Sequence, residues 1–78
     1  MNLTVMTPTQ KVFSGPVDSV TLPGAMGPFQ VLSGHAPLMS TLSTGMLRCQ
    51  QAGRLHTLAV KGGVVEVLDD HIQVLLVA

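Results

Sequence analysis

The sequence predicts an all-β fold, a small sandwich or barrel of short strands, from three observations. Apolar and polar residues alternate with a period of two, which is the pattern of half-buried strands. Eight glycines and five prolines in 78 residues interrupt the chain at short intervals, so no window remains for a long helix. Because no crossover helix fits between the strands, parallel pairing is not expected.

Two strands are predicted near the amino terminus. In residues 3–7, Leu3 and Val5 share one face, and residues 17–22 alternate in the same way. Pro16, which we place within the second of these strand regions, has no N–H to donate to a neighbouring strand. We therefore expect a sheet edge or a β-bulge at Pro16.

A short strand through Phe29 and Val31 leads into a compact corner, His35-Ala36-Pro37. Proline disfavours helical geometry in the residue before it, and the small alanine permits close approach by another backbone. The residues alone therefore predict a rigid corner whose histidine bonds a nearby carbonyl.

Three further strands are predicted in the second half of the chain. Residues 55–60 and 72–77 alternate between two faces, and residues 64–68 carry β-branched residues with one acid, Glu66. Asp69 and Asp70 separate the last two of these strands. Aspartate tolerates turn geometry and bonds its own backbone. This pair therefore predicts a hairpin turn more simply than an acid–base site.

The charge content excludes several classes of partner. Four acidic and four basic residues cancel, so the formal net charge is zero, whereas nucleic acids and anionic membrane surfaces attract basic proteins. Only 10% of the residues are charged and 46% are apolar, against about 25% charged in an average domain. We therefore expect a surface that normally faces other protein.

No constellation of residues predicts catalysis. His35, His56 and His71 are the only imidazoles and have no tight metal-ligand spacing. The sequence also lacks a nucleophile elbow and a phosphate-binding loop. A single cysteine, Cys49, cannot form an internal disulfide, which favours a cytosolic or organelle-interior location. We expect a noncatalytic binding or structural module without cofactor or metal.

Several short motifs occur in a characteristic order along the whole chain. They are Thr7-Pro8, Val12-Phe13-Ser14-Gly15, residues 17–24, Phe29 to Leu38 with Gly34-His35-Ala36-Pro37-Leu38, Gly45-Met46-Leu47-Arg48, and Gly62-Gly63-Val64-Val65-Glu66-Val67. In this order and spacing the chain resembles the epsilon subunit of F-type ATP synthases, which is called delta in mitochondria.

The resemblance implies a fold, a role and two partners. Residues 1–78 would form one flattened antiparallel β-sandwich, a noncatalytic part of the rotor in the central stalk. One side would bind the gamma subunit and one end the ring of c subunits, so that ion-driven rotation is coupled to ATP synthesis. The complex would be peripheral to the energy-transducing membrane, on its cytoplasmic side, and this chain would not span the membrane.

The resemblance also implies contact residues. Those matching the region against gamma are His35, Ala36, Pro37, Met39 and Ser40. Those matching the ring-facing loop are Met26, Pro28, Phe29 and Gln30. Several family members carry acids in that loop, whereas this chain has Met26-Gly27-Pro28, so we expect a more apolar contact with the c-ring.

Family members commonly continue into a C-terminal helical hairpin that can inhibit ATP hydrolysis. We expect that domain to be absent here, and with it any inhibition by helix insertion. An alternative from another class is a free-standing small-ligand-binding barrel or sandwich, which would need a concave apolar pocket. A cofactor-free enzyme is a third alternative. Co-purification with gamma, retention of a small molecule, or turnover of a substrate would separate the three.

Overall fold

A computed structural model describes residues 1–77, which contain nine strands and no helix. The strands are β1 (Asn2–Met6), β2 (Lys11–Pro16), β3 (Ser19–Gly24), β4 (Gly27–Leu32), β5 (Leu38–Leu42), β6 (Gly45–Gln51), β7 (Arg54–Val60), β8 (Gly63–Leu68) and β9 (His71–Leu76). The predicted all-β class is confirmed. Across residues 1–77 the structure contains no helical segment of the length and apolar character that a membrane crossing requires.

The strands form two layers that are joined at one point. The hydrogen-bonded order is β2-β1-β9-β8-β5-β3-β6-β7, with β4 paired to the other side of β3. A single residue pair, Gly24 with Leu42, links β3 to β5. The path therefore divides into a first sheet, β2-β1-β9-β8-β5, and a second sheet, β4-β3-β6-β7. The two sheets pack face to face as a sandwich, which is the expected architecture.

One strand pair differs from the sequence-based expectation. β1 and β9 are parallel, with Leu3 opposite Ile72 and Val5 opposite Val74, whereas the sequence predicted no parallel pairing. The expectation was wrong for this pair because it considered only connections between consecutive strands. The first and last strands are connected by all the strands between them, so no crossover helix is needed.

β2 lies at one end of the hydrogen-bonded path, and Pro16 is its last residue. The expectation of a sheet edge at Pro16 is therefore confirmed. The irregularity in the β1–β2 pairing lies elsewhere, between Val5 and Met6. This shift in register lies at the end of the β1–β2 pair away from Pro16, where it bends the strands and increases their local twist.

The core lies between the two sheets and is almost entirely aliphatic. Alternate residues of each central strand point into it, as the burial pattern along β9 illustrates. The buried apolar residues are Leu3, Val5, Val17, Val20, Leu22, Val31, Leu42, Leu47, Cys49, Val60, Val65, Val67, Ile72, Val74 and Leu76. The Cα trace measures 27 × 23 × 18 Å, so the molecule is modestly flattened.

Gly63 allows β8 to begin directly against β9. Its φ is +153°, and a Cβ atom at this position would collide with the backbone carbonyl of Leu75. Beside it, the N–H of Val77 donates to the carbonyl of Gly62 at 3.0 Å. This close approach holds the end of β9 against the start of β8.

Candidate interaction surfaces

The predicted corner lies between β4 and β5 and is exposed along its whole length. The N–H of His35 donates to the carbonyl of Leu32 at 3.1 Å, which closes a turn. Nδ1 of His35 lies 2.7 Å from the carbonyl oxygen of Ala36. Because a carbonyl can only accept, Nδ1 is the donor. The expected bond between this histidine and a nearby carbonyl is confirmed.

The corner is attached to the β8–β9 turn through Asp70. Oδ1 of Asp70 accepts the N–H of Gly34 at 2.9 Å, and Oδ2 accepts the hydroxyl of Ser33 at 3.0 Å. These two hydrogen bonds, the Gly34 one first, hold the pKa of the Asp70 carboxyl below its ordinary value. The Met1 amino group lies 3.8 Å from Oδ2 and acts in the same direction.

The outer surface of the first sheet carries an exposed apolar face, defined here by Met6, Met39, Val64 and Leu75. Val64 pairs with Leu75 across β8 and β9, and Leu75 pairs with Met6 across β9 and β1. Together with Glu66 and Gln73, these residues line a groove of about 330 Å³. The groove therefore spans four strands, but Met39 pairs directly with Glu66. Met39 approaches Val64 only diagonally, and the Glu66 carboxylate lies within the groove beside Met39.

The five residues expected against gamma do not form one surface. Pro37 and Met39 line a shared groove of about 280 Å³, together with Glu66, which brings the corner into contact with the apolar face. Ser40 pairs with the buried Val65. Because side chains alternate along a strand, Ser40 points to the opposite face of β5 from Met39.

The residues expected against the c-ring cluster at the β3–β4 hairpin. Met26 is completely exposed at its tip, and the N–H of the preceding Ala25 donates to the carbonyl of Thr41 at 3.0 Å. Pro28 is also exposed. These residues form an exposed, uncharged hairpin tip, and the hydrogen bond from Ala25 to Thr41 attaches it to β5.

The other two ring candidates differ from each other. Phe29 is half-buried and packs against the core, so its ring supports the hairpin more than it extends from it. Gln30 is exposed on the outer surface of the second sheet, opposite Thr21. Only part of the predicted set therefore shares the tip with Met26.

The corner and the hairpin tip lie at opposite ends of the same strand. β4 runs through six residues between them, which corresponds to about 20 Å of extended chain. Two partners could therefore occupy the two ends without competing for the same residues.

The interior provides no obvious reaction site. Within residues 1–77, no three His, Cys, Asp or Glu side chains lie close enough to share a metal ion. Burial raises the pKa of the Cys49 thiol, which disfavours its nucleophilic form. His56 stacks at a tilt against Phe13, with 5.8 Å between ring centroids.

Sequence analysis missed three residues of the apolar face, Met6, Val64 and Leu75. The signal was present in β8 and β9, where apolar residues occupy both faces of the strand, as in Val74-Leu75-Leu76. A strand that is apolar on both faces indicates a second contact surface in addition to the core. The hydrogen bonds from Ser33 and Gly34 to Asp70 were also not anticipated, because the Asp69-Asp70 pair predicted only a turn.

Comparison with known proteins identifies the family. The family model for the ATP synthase, Delta/Epsilon chain, beta-sandwich domain matches residues 1–77. The ATP synthase epsilon chain of Leptospira borgpetersenii is 37% identical over 75 residues, which is 96% of this chain and 59% of that protein. This chain thus spans little more than half the length of that curated relative.

Two solved structures share the fold. A chain in the Euglena gracilis mitochondrial ATP synthase, in a structure of the OSCP, F1 and c-ring, superposes with a TM-score of 0.89 at 23% identity, covering 95% of this chain and 48% of that one. A chain in the Tetrahymena thermophila mitochondrial ATP synthase central stalk and c-ring superposes with a TM-score of 0.81 at 16% identity, covering 99% and 63%. With the match along residues 1–77, the chain belongs to the delta/epsilon family of ATP synthase and forms its β-sandwich domain.

Proposed function

We propose that this chain is a noncatalytic rotor component of an F-type ATP synthase central stalk, and that it helps couple ion-driven rotation to ATP synthesis. The corner and the apolar face bind the gamma subunit, and the β3–β4 hairpin tip rests on the c-ring. The observation that carries the proposal is the exposed apolar face, which continues through Met39 into the corner that resembles the family's gamma-facing segment.

The physical properties of the molecule support this role. A sandwich whose sheets interdigitate at the density of a crystal resists deformation, so it can transmit torque between two attached partners. The apolar face is exposed to solvent in the isolated chain, and Met39 has 74% of its surface accessible. Covering such a face removes apolar area from water, at about 25 cal/mol for each Å².

The comparisons support the same role. The relatives are described as ATP synthase epsilon chains, and one of the two structures that share the fold is described as central stalk and c-ring. In this role the chain acts on the cytoplasmic side of the energy-transducing membrane, as a peripheral part of the complex. It binds no cofactor.

The direct test is co-expression with the cognate gamma subunit, with Met39→Asp as the diagnostic variant. An aspartate at position 39 would face Glu66 across the ladder and would be buried in the complex without a partner of opposite charge, which is costly. We expect the wild-type chain to co-purify with gamma in equimolar amount and the variant to bind at least about tenfold more weakly. The control is Leu55→Asp, which places the same charge on the outer surface of the second sheet, where Leu55 is 56% exposed.

Three outcomes would contradict the proposal. The wild-type chain could fail to co-purify with gamma. Leu55→Asp could weaken gamma binding as much as Met39→Asp does. The purified chain could also retain a small molecule. The last result would favour the ligand-binding alternative.

A further inference from the structure

We propose that Asp70 is a positioning residue, whose carboxylate holds the corner of residues 33–37 in the conformation that binds gamma. The inference rests on the function proposed above, because it names what orients one of the contact surfaces. Asp70 itself lies on the β8–β9 turn, outside the segment that resembles the family's gamma-facing region.

Within residues 1–77, the corner has few attachments to the rest of the molecule. Its own turn is closed locally, by the hydrogen bond from His35 to Leu32. The hydrogen bonds that join it to another element are those from Ser33 and Gly34 to the Asp70 carboxylate. Gly34 has a φ of +82°, a conformation that glycine adopts readily. The carboxylate therefore binds the corner at Gly34, the residue whose backbone has the greatest conformational freedom.

The backbone of Asp70 gives an independent reason to look for a role of its side chain. Asp69 and Asp70 are the two central residues of the β8–β9 hairpin, with φ of 51° and 61°, and Leu68 pairs with His71 across the turn. Turns with two positive φ values favour glycine at the second position. Glycine would suit the hairpin better than Asp70 does, but glycine could not reach the corner.

The electrostatics agree with the geometry. Hydrogen bonds from Gly34 and Ser33 hold the pKa of Asp70 below its ordinary value, so the carboxylate is ionised at neutral pH. Hydrogen bonds to an ionised acceptor are stronger than those between neutral groups. The hydrogen bonds from the corner to Asp70 are therefore strongest in the ionised state, which is the state of this carboxylate at neutral pH.

The test compares Asp70→Gly with Asp69→Gly in the full chain, by measuring affinity for the cognate gamma subunit. Both variants remove one negative charge and both relieve a positive φ, and this relief offsets part of the stability that Asp70→Gly loses with its hydrogen bonds. The Asp69 side chain makes no hydrogen bond with residues 1–77. We expect Asp70→Gly to weaken gamma binding about tenfold, from the loss of charge-assisted hydrogen bonds, and Asp69→Gly to leave the affinity unchanged.

A third variant and a second measurement separate positioning from simple stability. Asp70→Asn keeps one oxygen that can accept the Gly34 N–H, so its affinity should lie between wild type and Asp70→Gly. Amide hydrogen exchange at Gly34 should accelerate in Asp70→Gly and remain unchanged in Asp69→Gly, while circular dichroism shows both variants to be folded at the assay temperature.

The outcomes are distinct. If Asp70→Gly binds gamma as tightly as wild type, or weakens only as its folded fraction falls, the positioning role is overturned while the proposed function stands. If the wild-type chain itself does not bind gamma, the proposed function is wrong and the positioning role falls with it.

Discussion

Leu22 is a fully buried core residue, with an exposed fraction of 0%. Its place was predictable from alternation along residues 17–22, because a period of two assigns every second residue to one face. The apolar face was harder to predict, because Met39 and Val64 have the same apolar chemistry as core residues yet point outward. Chemistry alone does not distinguish a core from a docking surface.

Replacing Leu22 with alanine should lower the free energy of unfolding by about 2 to 5 kcal/mol, from lost burial and the cavity that remains. Urea titration followed by circular dichroism measures the change. Leu55→Ala is the control, since Leu55 is 56% exposed, and should change stability by no more than about 0.5 kcal/mol. Equal losses at the two positions would contradict the assignment of the core.

Asp70 should give the chain an acid-sensitive contribution to stability. Because the folded-state pKa is held below the ordinary value of 3.8, this contribution is present above that value and is lost as the pH falls through the lowered pKa. The stability difference between wild type and Asp70→Asn should be constant at neutral pH and should shrink below about pH 4. A difference that persists unchanged in strong acid would contradict the hydrogen bonds from Ser33 and Gly34.

At the scale of the element, the sequence predicted β7, β8 and β9 to within one residue at each end, because turn residues bound each of these apolar, β-branched segments. β2 has no fully buried residue, and its half-buried positions are Phe13 and Gly15, so a single apolar side chain marks its inner face. The parallel pairing of β1 and β9 depends on two segments at opposite ends of the chain, and local patterns contain no information about it.

Gly63→Ala should disrupt the junction of β8 and β9, because a Cβ atom there would collide with the Leu75 carbonyl. We expect a loss of about 3 kcal/mol or more in the free energy of unfolding, from combined overpacking and backbone strain. Gly53→Ala is the matched control, since Gly53 also has a positive φ, +80°, but open space around it. Its cost should be about 1 kcal/mol, from strain alone. If the two variants were equally stable, the close contact would be refuted.

At the scale of the whole molecule, the sandwich holds the two proposed contact regions at opposite ends of β4. The hairpin tip with Met26 and the corner with His35 belong to different loops, yet both are fixed to a stiff body by hydrogen bonds. The sequence resemblance predicts a partner for each loop. It could not determine that Ser40 points away from Met39, or that Asp70 reaches the corner, because both facts depend on the pairing of distant strands.

The two regions should be separable by mutation. Met26→Asp should weaken attachment to the c-ring, because Met26 is fully exposed at the tip and a charge buried there would lack a partner. Gamma binding should be unaffected. Pull-down of the assembled rotor measures both attachments in one experiment. A loss of gamma together with the c-ring would show that the two regions do not act independently.

The central claim is that this chain binds gamma through an apolar face, with little help from charge. The most direct measurement is the dissociation constant for gamma across a series of salt concentrations, by isothermal titration calorimetry. Between about 0.05 M and about 0.5 M salt, we predict a change of less than about tenfold, because buried apolar contacts are not screened by ions. A loss of affinity of about 100-fold over that range would mean that charge dominates the interface, and it would contradict the account, as would failure to bind gamma at any salt concentration.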